Sequence, residues 1–233
     1  MPQVGSPFTV IFEDNHLLVV NKAAGVLVQG DATGDVPLVD LCKDYIKVKY
    51  KKPGEVFLGV VHRLDRPVSG IVVLARTSKS LERMNALFRD KQTTKTYLAI
   101  VKRKPPQPEG KLIHWLVKDE TKNKTTAYKQ EVSGSLKSEL SYRILGTAEG
   151  VWLLEVNPVT GRSHQIRVQL GSIGSIIAGD VKYGDKDPAE DGRIYLHARK
   201  LAFVHPVKKE PMVFNAFPPS VGMWKYFAKF GEL

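Results

Sequence analysis

Two short charged clusters in this sequence are the places where chemistry could be done: HRLDR at 62–66 and GRSHQIR at 161–167. In the first, Asp65 lies between Arg63 and Arg66, and that positive local field favours the ionised carboxylate. The apolar runs EVFLGVV and IVVLA flank it, so the cluster reads as a loop carried on buried scaffolding. A carboxylate there would be poorly solvated and correspondingly nucleophilic. A surface aspartate in a salt-bridged turn fits the same residues, and the cluster alone does not choose between the two. In the second cluster, Gly161 and Ser163 lie at the expected start of a helix, beside Arg162 and Arg167. Unpaired N–H groups and two guanidinium groups would make an anion site, for a phosphate or for Asp65 itself. Ordinary capping with surface arginines is the other reading.

Other templates are missing. The six histidines, His16, His62, His114, His164, His197 and His205, show no HExxH and no paired i, i+4 spacing, so no metal is expected. There is no GxxxxGK[ST], no strand–GxGxxG–helix and no GxSxG elbow, so no nucleotide or dinucleotide cofactor is expected either. The single cysteine, Cys42, excludes an internal disulfide and reads as a packed core thiol.

The composition points to the partner. The 233 residues carry 35 Lys and Arg against 24 Asp and Glu, a net charge of +11. Such a field concentrates polyanions, making nucleic acid or an anionic membrane surface the expected partner, against a merely solvated basic surface. MPQVGSPFTVIFEDN lacks a secretory pattern, and no run approaches the ~18 apolar residues of a membrane span. The chain reads as a cytoplasmic protein with no membrane contact and no obligate protein partner.

The elements that must position these clusters follow from periodicity. TVIFEDN and HLLVVNK read as paired strands, and VPLVDLCKDYIKVKY as a helix closed by Pro53-Gly54. SKSLERMNALFRDK is a helix with Ser78 as its expected N-cap, and TYLAIV a strand. KPPQPEGK at 104–111 is linker-like, and the Lys/Thr-rich stretch 118–129 reads as a surface excursion. SELSYRIL and VWLLEVNP are strands. RSHQIRVQLGSIG fits either period, and Gly174 favours a helix that ends there. RIYLHARKLAFVHP and PMVFNAF are closing strands, and SVGMWKYFAKF a last helix. The mixture is α+β with mainly antiparallel connections, expected as a single domain over 1–233.

Taken together, EDNHLLVVNKAAG (13–25), HRLDRPVSGIVVLA (62–75), KTYLAIV (95–101) and GRSHQIRVQLGSIGSIIAGDVKYG (161–184) resemble the RluA-type pseudouridine synthases. The blocks occur in that family's order, with HRLD and GRxHQIR roughly 100 residues apart. The resemblance implies a pseudouridine synthase catalytic fold: a central, mainly antiparallel mixed sheet with flanking helices and a basic cleft. It implies isomerisation of uridines in ribosomal or transfer RNA, without a cofactor. Asp65 would be the nucleophile, Tyr97 would stack on the target base, and Arg167 would pair with Asp65. Arg63 would fill the space left by the flipped base, and His62, Lys22 and Arg162 would line the cleft. The first motif begins so near Met1 that no preceding S4-type RNA-binding domain is expected. Four positions depart from the family pattern: Ala23 and Ile176 replace prolines, Val68 a threonine, and Gln169 a histidine. A decayed RNA-binding protein of the same fold would have lost a catalytic residue, whereas Asp65, Tyr97 and Arg167 are all present. A nucleoside N-glycosidase would release free base instead of an isomer.

Overall fold

Two short runs rich in aliphatic residues near the N-terminus form a hairpin. The computed structural model describes residues 5–232, which divide into two compact units. One comprises the chain through Thr93 with Lys200–Ala216; the other comprises Thr94–Arg199 and the chain from Phe217.

In the first unit β1 (Phe8–Glu13) and β2 (Leu17–Lys22) are antiparallel, in register from Phe8↔Lys22 to Glu13↔Leu18. Asp14 shapes their turn: its Oδ1 accepts from the amides of His16 and Leu17, both at 2.8 Å. Helix α1 (Leu38–Lys49) buries Leu38, Cys42 and Ile46, residues four apart that share one face. Cys42 is fully buried, and burial pushes its thiol up to about 12, as expected of a packed core thiol. Strand β3 is only Gly59–Val60, whereas every residue of β4 (Ser69–Ala75) is buried. β4 runs antiparallel to β2, from Leu17↔Ala75 to Lys22↔Gly70. Helix α2 (Ser78–Arg89) is capped by Thr77 and not by the expected Ser78. Thr77 is extended (φ −141°, ψ 152°), as a cap must be, and its Oγ1 accepts from the Ser80 amide at 3.1 Å. Leu17, Val19, Ile71, Val73 and Met84 close the core with Leu201, Phe203 and Phe214.

The second unit is a ladder of long strands: β5 (Thr94–Val101), β6 (Glu109–Asp119), β7 (Lys124–Tyr128), β8 (Leu136–Ala148) and β9 (Val151–Pro158). Every pairing along the order β5-β9-β8-β6-β7 is antiparallel. The supposed excursion at 118–129 is the β6–β7 hairpin, paired from Trp115↔Tyr128 to Asp119↔Lys124. β7 is the edge strand of this ladder and largely exposed, so its lysine and two threonines hide the alternation that would have marked it. Likewise β6 begins within the linker-like stretch. Helix α3 (Gln165–Ser172) decides the ambiguous segment in favour of helix, and Gly174 follows at φ +78°. It starts two residues beyond Ser163.

Strand β10 (Leu196–Val204) leaves the second unit at Arg199 and enters the first at Lys200. There it pairs with β11 (Pro211–Asn215), from Lys200↔Asn215 to Val204↔Pro211. The last helix is a 3-10 segment, Gly222–Glu232, broken at Phe227. The described residues hold three α-helices, two in the first unit and one in the second, with antiparallel ladders in both, so the architecture is α+β.

The β10–β11 turn rests on His205, which is fully buried. Its Nδ1 accepts from the amides of Val207 (3.2 Å) and Lys208 (2.9 Å), and its Nε2 lies 3.2 Å from Asp14 Oδ2. Burial lowers the His205 pKa, although Asp14 opposes it. A proton on Nδ1 would break both amide contacts, so the neutral ring is the folded form. Its contribution is present above the ordinary histidine value near 6.5 and is lost as pH falls below it. His205→Phe should cost about 1–3 kcal/mol at neutral pH, since it strands the amides of Val207 and Lys208. It should also flatten the fall in melting temperature between about pH 7 and 5. Thermal melts of both proteins across that range measure both effects.

Candidate active site

The segment carrying Asp65 has no regular secondary structure between β3 and β4, so side chains must hold it. His62 Nε2 accepts from the Val73 amide at 3.1 Å, and its ring stacks on Phe88 at 4.7 Å and 17°. Leu64 is buried. The exposed Arg66 donates through Nε to the Gly25 carbonyl (3.0 Å) and pairs with Asp35 at 2.6 Å. Asp65 is half-buried among these anchors, and its carbonyl accepts from Val68 N at 3.0 Å, closing the turn into β4. Arg63 is exposed.

Lys22, expected to line a cleft, is 1% exposed at the end of β2. Its Nζ donates to the carbonyls of Ala23 (2.9 Å), Val26 (2.8 Å) and Arg66 (3.2 Å). Burial lowers its pKa to about 7, with Asp65 opposing the shift and Arg66 adding to it. The ammonium therefore ties 23–26 to the backbone immediately after Asp65. Ala23 also explains one departure from the family pattern, because its amide donates to the Pro7 carbonyl at 2.9 Å. A proline there has no N–H to give.

In the second unit, Tyr97 is half-buried on β5 opposite Val156. Arg167, on α3, is 5% exposed and held by a carboxylate that sequence reasoning missed. Its Nε and Nη2 donate to Asp180 Oδ2 and Oδ1 at 2.7 and 2.8 Å, a fork matched to both oxygens. Asp180 is 1% exposed, and the Tyr183 ring lies 5.1 Å from the Arg167 guanidinium. Gly179 must be glycine: it sits at φ +83°, and a Cβ would stand 2.7 Å from the Arg193 carbonyl. The GDVKYG turn, uninformative when read alone, thus supplies both groups that flank Arg167.

The GRS loop before α3 is equally fixed. Gln165 Oε1 accepts from Thr160 Oγ1 (2.7 Å) and Arg162 N (3.0 Å), and its Nε2 donates to the Glu139 carbonyl at 3.0 Å. His164 takes a left-handed conformation (φ 53°), with its Nδ1 2.8 Å from Tyr183 Oη. Arg162 is exposed, and its Nε donates to the Lys137 carbonyl at 3.5 Å. Gln169, where the family commonly has histidine, is fully buried and donates to the Leu112 carbonyl at 3.1 Å. The structure thus sets His62, Lys22 and Arg63 with Asp65 in the first unit, and Tyr97, Arg162 and Arg167 in the second. Among the described residues no helix is long and apolar enough to cross a membrane, and no three His, Cys, Asp or Glu side chains group as metal ligands.

The fold is that of the pseudouridine synthases. The structure of human RNA pseudouridylate synthase domain containing 4 superposes with a TM-score of 0.74 at 24% identity, covering 90% of this chain and 88% of that one. Residues 16–172 match the family described as RNA pseudouridylate synthase, and the chain belongs to that family. It is similar to the ribosomal large subunit pseudouridine synthase C of Vibrio cholerae, 32% identical over 220 residues, and spans 89% of this chain and 64% of that protein. It is also similar to the ribosomal large subunit pseudouridine synthase D of Zymomonas mobilis, 33% identical over 223 residues, with 91% and 70% covered. The chain thus spans less than two thirds of the length of the Vibrio protein.

The two buried cations make separate predictions. Between about pH 7 and its ordinary value near 10.4, Lys22 binds fewer protons folded than unfolded, so its burial penalty fades as pH rises. Urea unfolding should show wild type gaining stability relative to Lys22→Met across that window. Asp180→Asn turns one arm of the fork into a donor facing a donor and removes the negative charge that both arms meet. It should cost about 3–5 kcal/mol in the same assay.

Proposed function

We propose that this chain isomerises uridine to pseudouridine in large-subunit ribosomal RNA, with residues 1–233 acting as one catalytic domain. The observation that carries this reading is that the family match over 16–172 spans HRLDR, KTY and GRSHQIR together. The named relatives that act on the large ribosomal subunit favour that RNA over transfer RNA. The net charge of +11 suits a phosphate-rich substrate.

The reaction breaks the N1–C1′ bond, turns the base and joins C5 to C1′. N1 takes up a proton and C5 loses one, so atoms and electrons balance without an imported group or a redox partner. The base must leave its stack first, at a cost of a few kcal/mol. Stacking on an aromatic ring offsets about 1–3 kcal/mol of that. In this reading Asp65 is the nucleophile, Tyr97 the stacking ring and Arg167 the cation of the reaction. Arg63, exposed beside Asp65, fills the space that the base vacates. Arg162 meets the RNA backbone, and His62 and Lys22 act by holding the Asp65 loop.

Asp65→Asn is nearly isosteric but neutral and a poor nucleophile. Single-turnover isomerisation of a ribosomal RNA transcript should fall by on the order of a thousand-fold or more, with RNA affinity and melting temperature near wild type. Wild-type turnover in the Asn variant, with deamidation excluded by mass spectrometry, would sink the assignment.

A further inference from the structure

Lys95 has no role in the site described above. It lies two residues before Tyr97 on β5, so strand alternation puts both side chains on one face, about 6.5–7 Å apart along the chain. Its side chain is half-buried, and burial is the one cause that lowers its pKa. No hydrogen bond or ion pair satisfies it among the described residues. Other shielded lysines of the chain are compensated: Lys22 by three carbonyls, and Lys102 by Asp185 and Asp187 at 2.8 and 2.7 Å. A partly desolvated ammonium without a counter-charge is costly unless an anion arrives to pair with it.

The surroundings say what kind of anion. A Cβ built on Gly161 would stand 3.8 Å from Lys95 Nζ, so the ammonium lies against the bare backbone of the GRS loop. Gln165 fixes that loop, and Arg162, the next residue, is exposed. Two cations therefore flank a glycine beside the face that carries Tyr97, and among the described residues no carboxylate pairs with Lys95. We propose that Lys95 binds a backbone phosphate of the RNA, that of the nucleotide whose base stacks on Tyr97. This rests on the RNA-modifying reading but adds to it a substrate contact on the base-stacking side.

The test is a salt titration of binding to fluorescently labelled oligouridylate, using wild type and the Lys95→Met, Lys95→Gln and Lys95→Arg variants. Losing one phosphate contact should weaken binding several-fold and reduce the slope of log K against log salt by about 0.7. Lys95→Arg should restore both. With the ribosomal transcript, the neutral variants should raise KM and leave kcat within about threefold, as removal of uniform binding does. Near-wild-type melting of either neutral variant suffices for the comparison. An unchanged slope in the neutral variants overturns the proposal, whether or not affinity falls, because lost packing would not release counterions differently. Full affinity and slope with a collapsed kcat also overturns it and makes Lys95 a group of the chemical step. If wild type binds oligouridylate but isomerises no uridine, the functional reading fails while the slopes still report on Lys95.

Discussion

The loop that carries Asp65 depends on the enforced burial of one lysine. Strand β2 is fully buried where Leu17–Val20 pack, and its alternation carries Lys22 into the interior as well. An ammonium there has to find three acceptors or give up its proton. It finds the carbonyls of Ala23, Val26 and Arg66, so the chain after β2 and the chain after Asp65 are gathered onto one point. Regular structure could not do this, because a strand through 61–68 would commit Asp65 to a ladder. The carboxylate is thus carried on irregular backbone held by the contacts of His62, Arg66 and Lys22 and by the burial of Leu64.

The second unit solves the same problem with a carboxylate. Burying Arg167 and Asp180 together is rarely stabilising compared with apolar residues of the same size. What the fork gives is direction: a bidentate pair fixes the plane of the guanidinium as one hydrogen bond cannot. Tyr183 covers that plane and also links His164 to Thr125, whose amide donates to the Tyr183 hydroxyl at 2.9 Å. The polar β6–β7 hairpin is therefore part of the support for α3, although its composition reads as solvent-facing.

This explains which features were legible in the sequence. Strands that are apolar runs, helix α1 with its apolar spacing at Leu38, Leu41 and Tyr45, and the helical outcome of RSHQIRVQLGSIG all follow local rules. The Thr77 cap was missed by one residue, because Thr77 and Ser78 are both good caps and only the backbone dihedral separates them. The β7 strand was missed because an edge strand can be polar on both faces. Asp180, Tyr183 and Lys95 were missed for a different reason. Each matters through a partner far along the chain, or through lacking one, and spacing carries no such information. Lys22 was found as a motif residue, but its type alone could not tell a cation facing RNA from a cation facing three carbonyls.

Three of the shielded cations can be ordered by what satisfies them, and the order separates scaffold from surface. Lys22 is saturated by backbone acceptors and has no capacity left for a ligand. Arg167 gives two donors of its fork to Asp180, which sets its orientation and leaves it positively charged in a shielded place. Among the described residues no hydrogen bond or ion pair satisfies Lys95, although its desolvation penalty is already incurred on folding. That penalty is recovered only when an anion binds, so it acts as binding free energy stored in the unliganded protein. A sequence selected for stability alone would place a carboxylate beside Lys95 or trim the lysine. Retaining an uncompensated ammonium two residues from Tyr97 is intelligible where the compensating charge arrives with the substrate.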